Sequence, residues 1–306
     1  MGRFLLSRLG DGIVAIWGVV TIVFVVSRLL GDPAILLLPV GATEEQLQQL
    51  RAGLGLDRPI WKQYLTFLGG ALRGDFGQSF QFMRPALSVV LERMPATMAL
   101  AGSALLVGVV LGCIAGSMAA LFRGTIVEGV VMLLALLGQA TPVFWLGLLL
   151  ILLFAVDLGL LPTGGYDGPM SLVLPALTLG TFTTASIARL LRSGMLDVMK
   201  DDHVRTARAK GLLPGTVFLW HIARNSLIPV VTMIGILAGE LLGGSVVTET
   251  VFSWPGVGRL IVQAMEAKDF PVVQAGVMVI PTIFVVINLF VDLLYGLLDP
   301  RIRARR

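Results

Sequence analysis

Charge is scarce in this chain. Only 14% of its 306 residues are Asp, Glu, Lys or Arg, against about 25% in ordinary water-soluble domains, which excludes a large soluble core as the organising principle. Cysteine is nearly absent. A lone Cys113 excludes a disulfide within the chain and fits no metal pattern, so it reads as a small buried apolar residue. Histidine occurs twice, as His203 and His221, with no HExxH or cysteine pattern around either. Docking or helix capping is therefore expected of both, rather than metal binding. No G-x-x-x-x-G-K-[ST] run occurs. Without that phosphate-cradling loop the chain does not hydrolyse ATP by that route.

Apolar residues make up 56% of the chain. A helix rises about 1.5 Å per residue, so roughly 20 apolar residues cross a ~30 Å hydrocarbon core. Windows of this kind are Gly12–Leu30, Thr97–Phe122, Val130–Val156, Leu172–Leu191, Leu227–Val247 and Val272–Leu298. They predict an all-α, polytopic integral membrane protein with six transmembrane helices. The third window is interrupted by Gln139, Thr141 and Pro142, which mark a kink, a polar pore-facing turn or a late helix start. It is counted as one span. The first follows Arg3 and Arg8 with no small-x-small cleavage site after it, and reads as an uncleaved signal anchor.

This divides the chain into an anchor span over 1–30, an outer segment over 31–96, a transmembrane domain over 97–298 and a basic tail over 299–306. The domain has a cytoplasmic loop at about 192–226 and an outer loop at about 248–271. Lysine and arginine orient it. Arg3, Arg8, Arg123, Arg189, Arg192, Lys200, Arg205, Arg208, Lys210, Arg224 and the tail arginines fall on one side, whereas the short loop between Val156 and Leu172 has none. Both termini are therefore expected in the cytoplasm.

In the outer segment, Thr43 and Gln46 have capping-box spacing, and Trp61, Tyr64, Leu65 and Leu68 share one helical face. Short amphipathic helices are expected there, packing against span ends or meeting an outer partner. Glycines 108, 112 and 116 recur every fourth residue, a spacing that permits close helix contact. Glu240 lies near the middle of the fifth span, where a charge is costly. Two readings stand for it: it lines a translocation path, or it meets a polar group on a partner subunit. Gln139 is a second path candidate. Asn288 and Asp292, four apart, are expected to bond across helices or to Arg301.

The cytoplasmic loop holds "DDHVRTARAKGLLPGTVFLWHIARN", residues 201–225. Asp201 or Asp202 is placed to cap a helix in which Val204 and Ala207 share one face. Gly211 suits a left-handed helix end and Pro214 a first helical turn. Phe218, His221, Ile222 and Asn225 then recur at three and four. Helix, glycine turn and helix result, with Ala207 and Ala209 small enough for another protein to approach closely. The plain alternative is a solvated basic loop.

Across the chain, "GDPA", "RGDFGQSF", "ERMPAT", "VRTARAKGL", "HIARNSLIPVV", "VVTETVFSWPGVGRL" and "DLLYGLLDPRIR" occur in order. Together they resemble the permease subunits of bacterial ABC importers for dipeptides, oligopeptides and nickel. The resemblance implies the type I ABC importer permease fold, location in the bacterial cytoplasmic (inner) membrane, and no enzymatic activity or cofactor in this chain. It also implies a second homologous permease, two ATPase subunits that bind ATP and Mg, an external substrate-binding protein and surrounding lipid; nucleic acid has no place. In the family, Glu-Ala-Ala, three residues and Gly form a coupling helix that docks on the ATPase. Arg205, Thr206, Ala207 and Gly211 align with it; the glycine and one alanine hold, while Arg205 and Thr206 depart. The coupling role carries over to Asp201, Asp202, His203, Val204, Arg205, Thr206, Ala207, Arg208, Ala209, Lys210 and Gly211. His221, Ile222, Ala223 and Arg224 replace the later Ile-x-Leu-Pro portion, as in the peptide and nickel branch. The outer loop is implied to re-enter near the periplasmic mouth, to gate the path or meet the binding protein.

The expected substrates are di- or oligopeptides, with nickel or another small solute as the alternative. A secondary transporter would show ion-coupling residues at broken helices in inverted repeats, and no such repeat is evident. An intramembrane enzyme would need a nucleophile and base within the spans, and neither His lies in one.

Overall fold

The computed structural model describes residues 2–29, 34, 38, 43–53 and 55–298, the side chains of 2–9, 27, 29, 244 and 292–298 excepted. Gly31, Asp32, Pro33, the tail 299–306 and the side chains of Arg3, Arg8 and Asp292 therefore lie outside the described residues. The described chain is helical, with an isolated bridge between Gln78 and Pro85 and no named strand. It comprises two compact units, one drawn from Met1–Ala96 and Pro255–Leu289, the other from Thr97–Trp254 and Phe290–Arg306.

In the first unit, α1 spans Gly2–Leu29, α2 Glu44–Gly53 and α3 Ile60–Arg73. The expected capping box opens α2: Thr43 N–H donates to Gln46 Oε1 at 3.0 Å, and Gln46 N–H to Thr43 Oγ1 at 3.4 Å. Helix α3 meets α1 through Tyr64, whose ring lies edge-on to Phe24 at 5.3 Å and whose hydroxyl is 2.8 Å from Thr21 Oγ1. Trp61 and Leu65, expected on that same face, stay exposed. The contact falls instead on Tyr64 and Phe67, three apart.

Helix α4 spans Ala86–Leu121 and belongs to both units. Its first turns, with Ala86, Val89 and Val90, share an apolar cluster with Val257, Leu260, Ile261 and Ala264 of α10 (Val257–Glu266) and Val272 and Ala275 of α11 (Phe270–Leu298). The segment between α9 (Arg224–Val251) and α11 thus contains an amphipathic helix, α10, whose apolar side is already used within the first unit.

The second unit contains α5 (Ile126–Ala140), α6 (Val143–Leu150, continued as a π-helix over Ile151–Asp157), α7 (Val173–Val198), α8 (Asp202–Ala209) and α9 (Arg224–Val251). The third expected span is not one straight helix: α5 and α6 are bent by 109°. Pro142 lacks an N–H and disfavours helical backbone at the preceding residue, and Thr141 is accordingly extended at φ −74°, ψ 130°. Four other helical stretches among the described residues are long and apolar enough to cross a membrane: Ala86–Leu121, Pro169–Val198, Pro214–Gly243 and Phe270–Val291. The apolar part of α1 is the shorter Gly10–Val26.

Glycines 108, 112 and 116 bring α4 against α7. A Cβ at Gly112 would lie 2.7 Å from the Ile187 Cβ, and one at Gly116 would lie 2.7 Å from the Ala188 carbonyl oxygen. Without side chains there, the backbones approach closely enough for dispersion contacts to replace a hydrophobic drive that lipid cannot supply. Cys113, on the same helix, is half-buried against the core cluster.

Candidate functional site

Helix α8 is eight residues of polar sequence fixed to an apolar core by two side chains. Val204 and Ala207 are buried in a cluster with Ile187, Leu191 and Met195 of α7 and with Val217, Ile222 and Val230. Spaced three apart, both lie on one face. Ala207 is therefore turned into this chain and does not offer a partner the close approach expected of it; Ala209 remains exposed. Small size at Ala207 serves the packing of α8 on its own unit.

The other face is charged and open. Asp201, Asp202, His203, Arg205, Thr206, Arg208, Lys210 and Gly211 are all exposed. Asp201 holds the N-cap position in extended conformation (φ −66°, ψ 147°), but its side chain makes no cap hydrogen bond. Its carbonyl accepts from Val204 and Arg205 N–H, and its carboxylate lies 3.8 Å from His203 Nδ1. Arg205 is 3.5 Å from Asp202. His203 Nε2 lies 3.2 Å from Asn225 Nδ2 and 3.4 Å from the His221 carbonyl oxygen, while Asn225 donates to that carbonyl at 2.9 Å. The two histidines thus meet at the junction between α8 and the helix leading to α9. Among the described residues no group of three metal-ligating side chains includes them.

Gly211 has φ +75°. This left-handed turn reverses the chain after α8, and its N–H bonds to the Arg208 carbonyl at 3.0 Å. Pro214 then takes a first-turn position, as expected. Beyond it the period changes: Val217–Ala223 is π-helical, and the buried pair is Val217 and Ile222, five apart. The spacing of three and four read from Phe218 and His221 misses this, because a π-turn adds a residue to the repeat.

Glu240 is exposed on α9, on a stripe with Ile236, Gly243 and Val247, while Leu237, Leu241 and Leu242 are buried. Gln139, by contrast, is half-buried and its Nε2 lies 3.4 Å from Ser186 Oγ on α7. Among the described residues no hydrogen bond joins Gln139 to Glu240.

Two carboxylates that sequence reasoning passed over are fully buried. Glu249 accepts from Thr97 Oγ1 at 2.8 Å and from Ser245 Oγ at 3.1 Å. Its signal was the Ser245-to-Glu249 spacing of four, hidden because the fifth span was ended at Val247, whereas α9 runs to Val251. In the first unit, Asp269 Oδ2 accepts from Ser79 Oγ at 2.5 Å and from Gln81 N–H at 3.1 Å. Asp269 and Ser79 are 190 positions apart in the chain, so no local pattern marks them.

The second unit is helical with a small polar helix seated on its core, and comparison with known proteins specifies the family. The chain matches the family described as "Binding-protein-dependent transport system inner membrane component" over residues 108–304, and its N-terminal companion over 1–101. It belongs to that family, as the seven motifs led one to expect. It is 39% identical, with both chains fully covered, to the di/tripeptide transport system permease protein DppB of Pseudomonas aeruginosa (strain UCBPP-PA14). It is 41% identical, again over both full chains, to the glutathione transport system permease protein GsiC of Escherichia coli (strain K12). The fold resembles that of the MetNI methionine ABC transporter, with a TM-score of 0.55 at 17% identity over 69% of this chain and 96% of that one. The chain is a permease subunit of the ABC transporter type and a membrane component, not itself an enzyme.

Proposed function

We propose that this chain pairs with a second homologous permease to form the conduit of an ATP-driven importer for di- or oligopeptides. Two separate ATPase subunits bind ATP and Mg, and an external binding protein delivers the substrate. Both termini lie in the cytoplasm, which places α8 beside the ATPases. The observation that carries this reading is the seating of α8. Val204 and Ala207 fix it to α7 and to the helix entering α9, while its charged face stays open. Force applied to that face by a closing ATPase is passed to the membrane helices, because close-packed cores shift between discrete arrangements rather than deforming gradually. Residues 201–211 are the contact set, with Val204 and Ala207 anchoring and the remainder facing the partner. Names of the two relatives support peptides as the substrate class.

Glu240 faces the conduit or the second permease, since a carboxylate on an outward stripe of a membrane helix is costly against lipid. Gln139 contributes at the bend between α5 and α6. The outer loop, with α10, lies at the mouth toward the binding protein.

Purification of this chain from native membranes tests the assembly: an ATPase should accompany it, and its consistent absence would defeat the reading. In the purified complex, Gly211→Leu strains a turn at φ +75° by about 1–2 kcal/mol. Transport per ATP hydrolysed should fall while membrane insertion stays normal. Undiminished coupling would remove α8 from the force path. Uptake of labelled dipeptide against nickel decides the substrate.

A further inference from the structure

Where α5 meets α7, a cavity of about 560 Å³ adjoins a groove of about 240 Å³, and the two share Met132 and Arg189. The cavity is lined by Thr125 and by the charged Glu128, Arg189 and Arg192, and lies beside the turn between α4 and α5, where Gly124 takes φ +78°. Its charges are unequally committed. Glu128 accepts from Gly124 N–H at 2.6 Å through Oε2, and it is ion-paired through Oε1 with Arg192, whose Nε is 2.7 Å away. Arg189 is exposed and has no hydrogen-bond or ion-pair partner among the described residues. Its guanidinium is therefore open to pairing with an anion from outside the chain.

The groove has the opposite character. Apart from Arg189, it is lined by Met132, Leu133, Ala135, Leu136 and Ala185. Leu133 and Leu136 remain more than half exposed, at 55% and 51%. An open cation at the head of an apolar groove complements a molecule that is anionic at one end and hydrocarbon along its length. A free phosphate would use the cation and leave the groove empty.

We propose that this is a binding site for an anionic phospholipid, with its phosphate on Arg189 and an acyl chain along Met132, Leu133 and Leu136. Basic pockets between helices at the membrane boundary recognise such headgroups by this pairing of charge with adjoining apolar surface. Lipid held there braces α5 against α7 just below the break at Pro142. The proposal stands apart from the substrate and from the ATPase contact, and only the leaflet it assigns, the cytoplasmic one, rests on the orientation proposed above.

The test uses the whole transporter complex, purified in detergent, stripped of lipid and titrated with phosphatidylglycerol or phosphatidylcholine under native mass spectrometry. Wild type should retain phosphatidylglycerol about fivefold more strongly, the contribution of one arginine near an anionic headgroup. Arg189→Gln should bring the two lipids level, and Arg189→Lys should keep most of the preference. Equal retention of both lipids by wild type overturns the proposal, and that measurement needs no variant to fold. So does an undiminished preference in Arg189→Gln. Displacement of phosphatidylglycerol by millimolar inorganic phosphate would mark a free-anion site in which the groove plays no part, and would overturn it as well.

Discussion

Thr97 Oγ1 donates to Glu249 Oε1 at 2.8 Å across 152 positions of sequence, tying the α4 helix to the C-terminal end of α9. Both side chains are fully buried, and Ser245 adds a second donor one turn below Glu249. A carboxyl group sealed from water depends on such partners, because an unmet buried acceptor costs more than a made hydrogen bond contributes. Thr97→Val removes the donor at nearly constant volume. It should lower stability by about 1 kcal/mol, read as an earlier unfolding midpoint in micelles, with Thr97→Ser close to wild type. A Thr97→Val midpoint equal to wild type would mean the bond contributes nothing.

The glycine series on α4 gives a paired comparison. Gly116→Ala puts a Cβ 2.7 Å from the Ala188 carbonyl and 3.0 Å from the Leu191 Cβ, so the helices must separate, at a cost of roughly 1–3 kcal/mol. Gly102→Ala meets nothing within 4 Å and replaces the weaker helix former. Thermal scans of the two proteins should therefore move in different directions, Gly116→Ala downward and Gly102→Ala unchanged or upward. Equal losses would argue against close packing of α4 on α7.

On α8, position decides the effect of an added charge. Ala207→Arg forces a guanidinium into a cluster where Ala207 is 4% exposed, and it should unseat the helix with a loss of several kcal/mol. Ala209→Arg, two residues on and exposed, should leave stability within about 0.5 kcal/mol. Limited proteolysis at Lys210 reads the difference directly: rapid cleavage is expected in Ala207→Arg alone.

Asp269 fixes the turn around Ser79 by accepting from its hydroxyl and from Gln81 N–H. Asp269→Ala should free both, costing about 1–3 kcal/mol and raising hydrogen exchange at the Gln81 amide. Exchange at the Ala86 amide, bonded to the Gly77 carbonyl at 3.0 Å, should rise less. Unchanged Gln81 protection would show that the turn is held by other contacts.

Much of the fold was legible because lipid imposes it. A bilayer leaves the backbone no partner but itself, so a long apolar run is a helix almost by necessity. Capping chemistry at Thr43 and Gln46 was equally readable, being local, as was the left-handed turn at Gly211. Pro142 announced a break but not its 109° bend. That angle is set by what the two half-helices pack against.

The candidate site was half legible. Sequence located the small polar helix and its glycine turn, and the motifs placed the chain in its family. It misassigned Ala207, since a small residue reads alike whether it admits a partner or fills its own core. Glu240 drew notice as a charge in a span, yet Glu249, nine residues on, is the buried one.

From its sequence alone, this protein is a helical membrane permease with a small polar helix and a glycine turn set between two long apolar runs. Both conclusions follow from local rules: apolar length, capping and the order of motifs. Only the tertiary structure decided which polar groups are sealed, which face of α8 is open and that Arg189 heads an apolar groove. Those outcomes depend on residues far apart in sequence sharing one small volume, and a one-dimensional pattern does not record which strangers become neighbours.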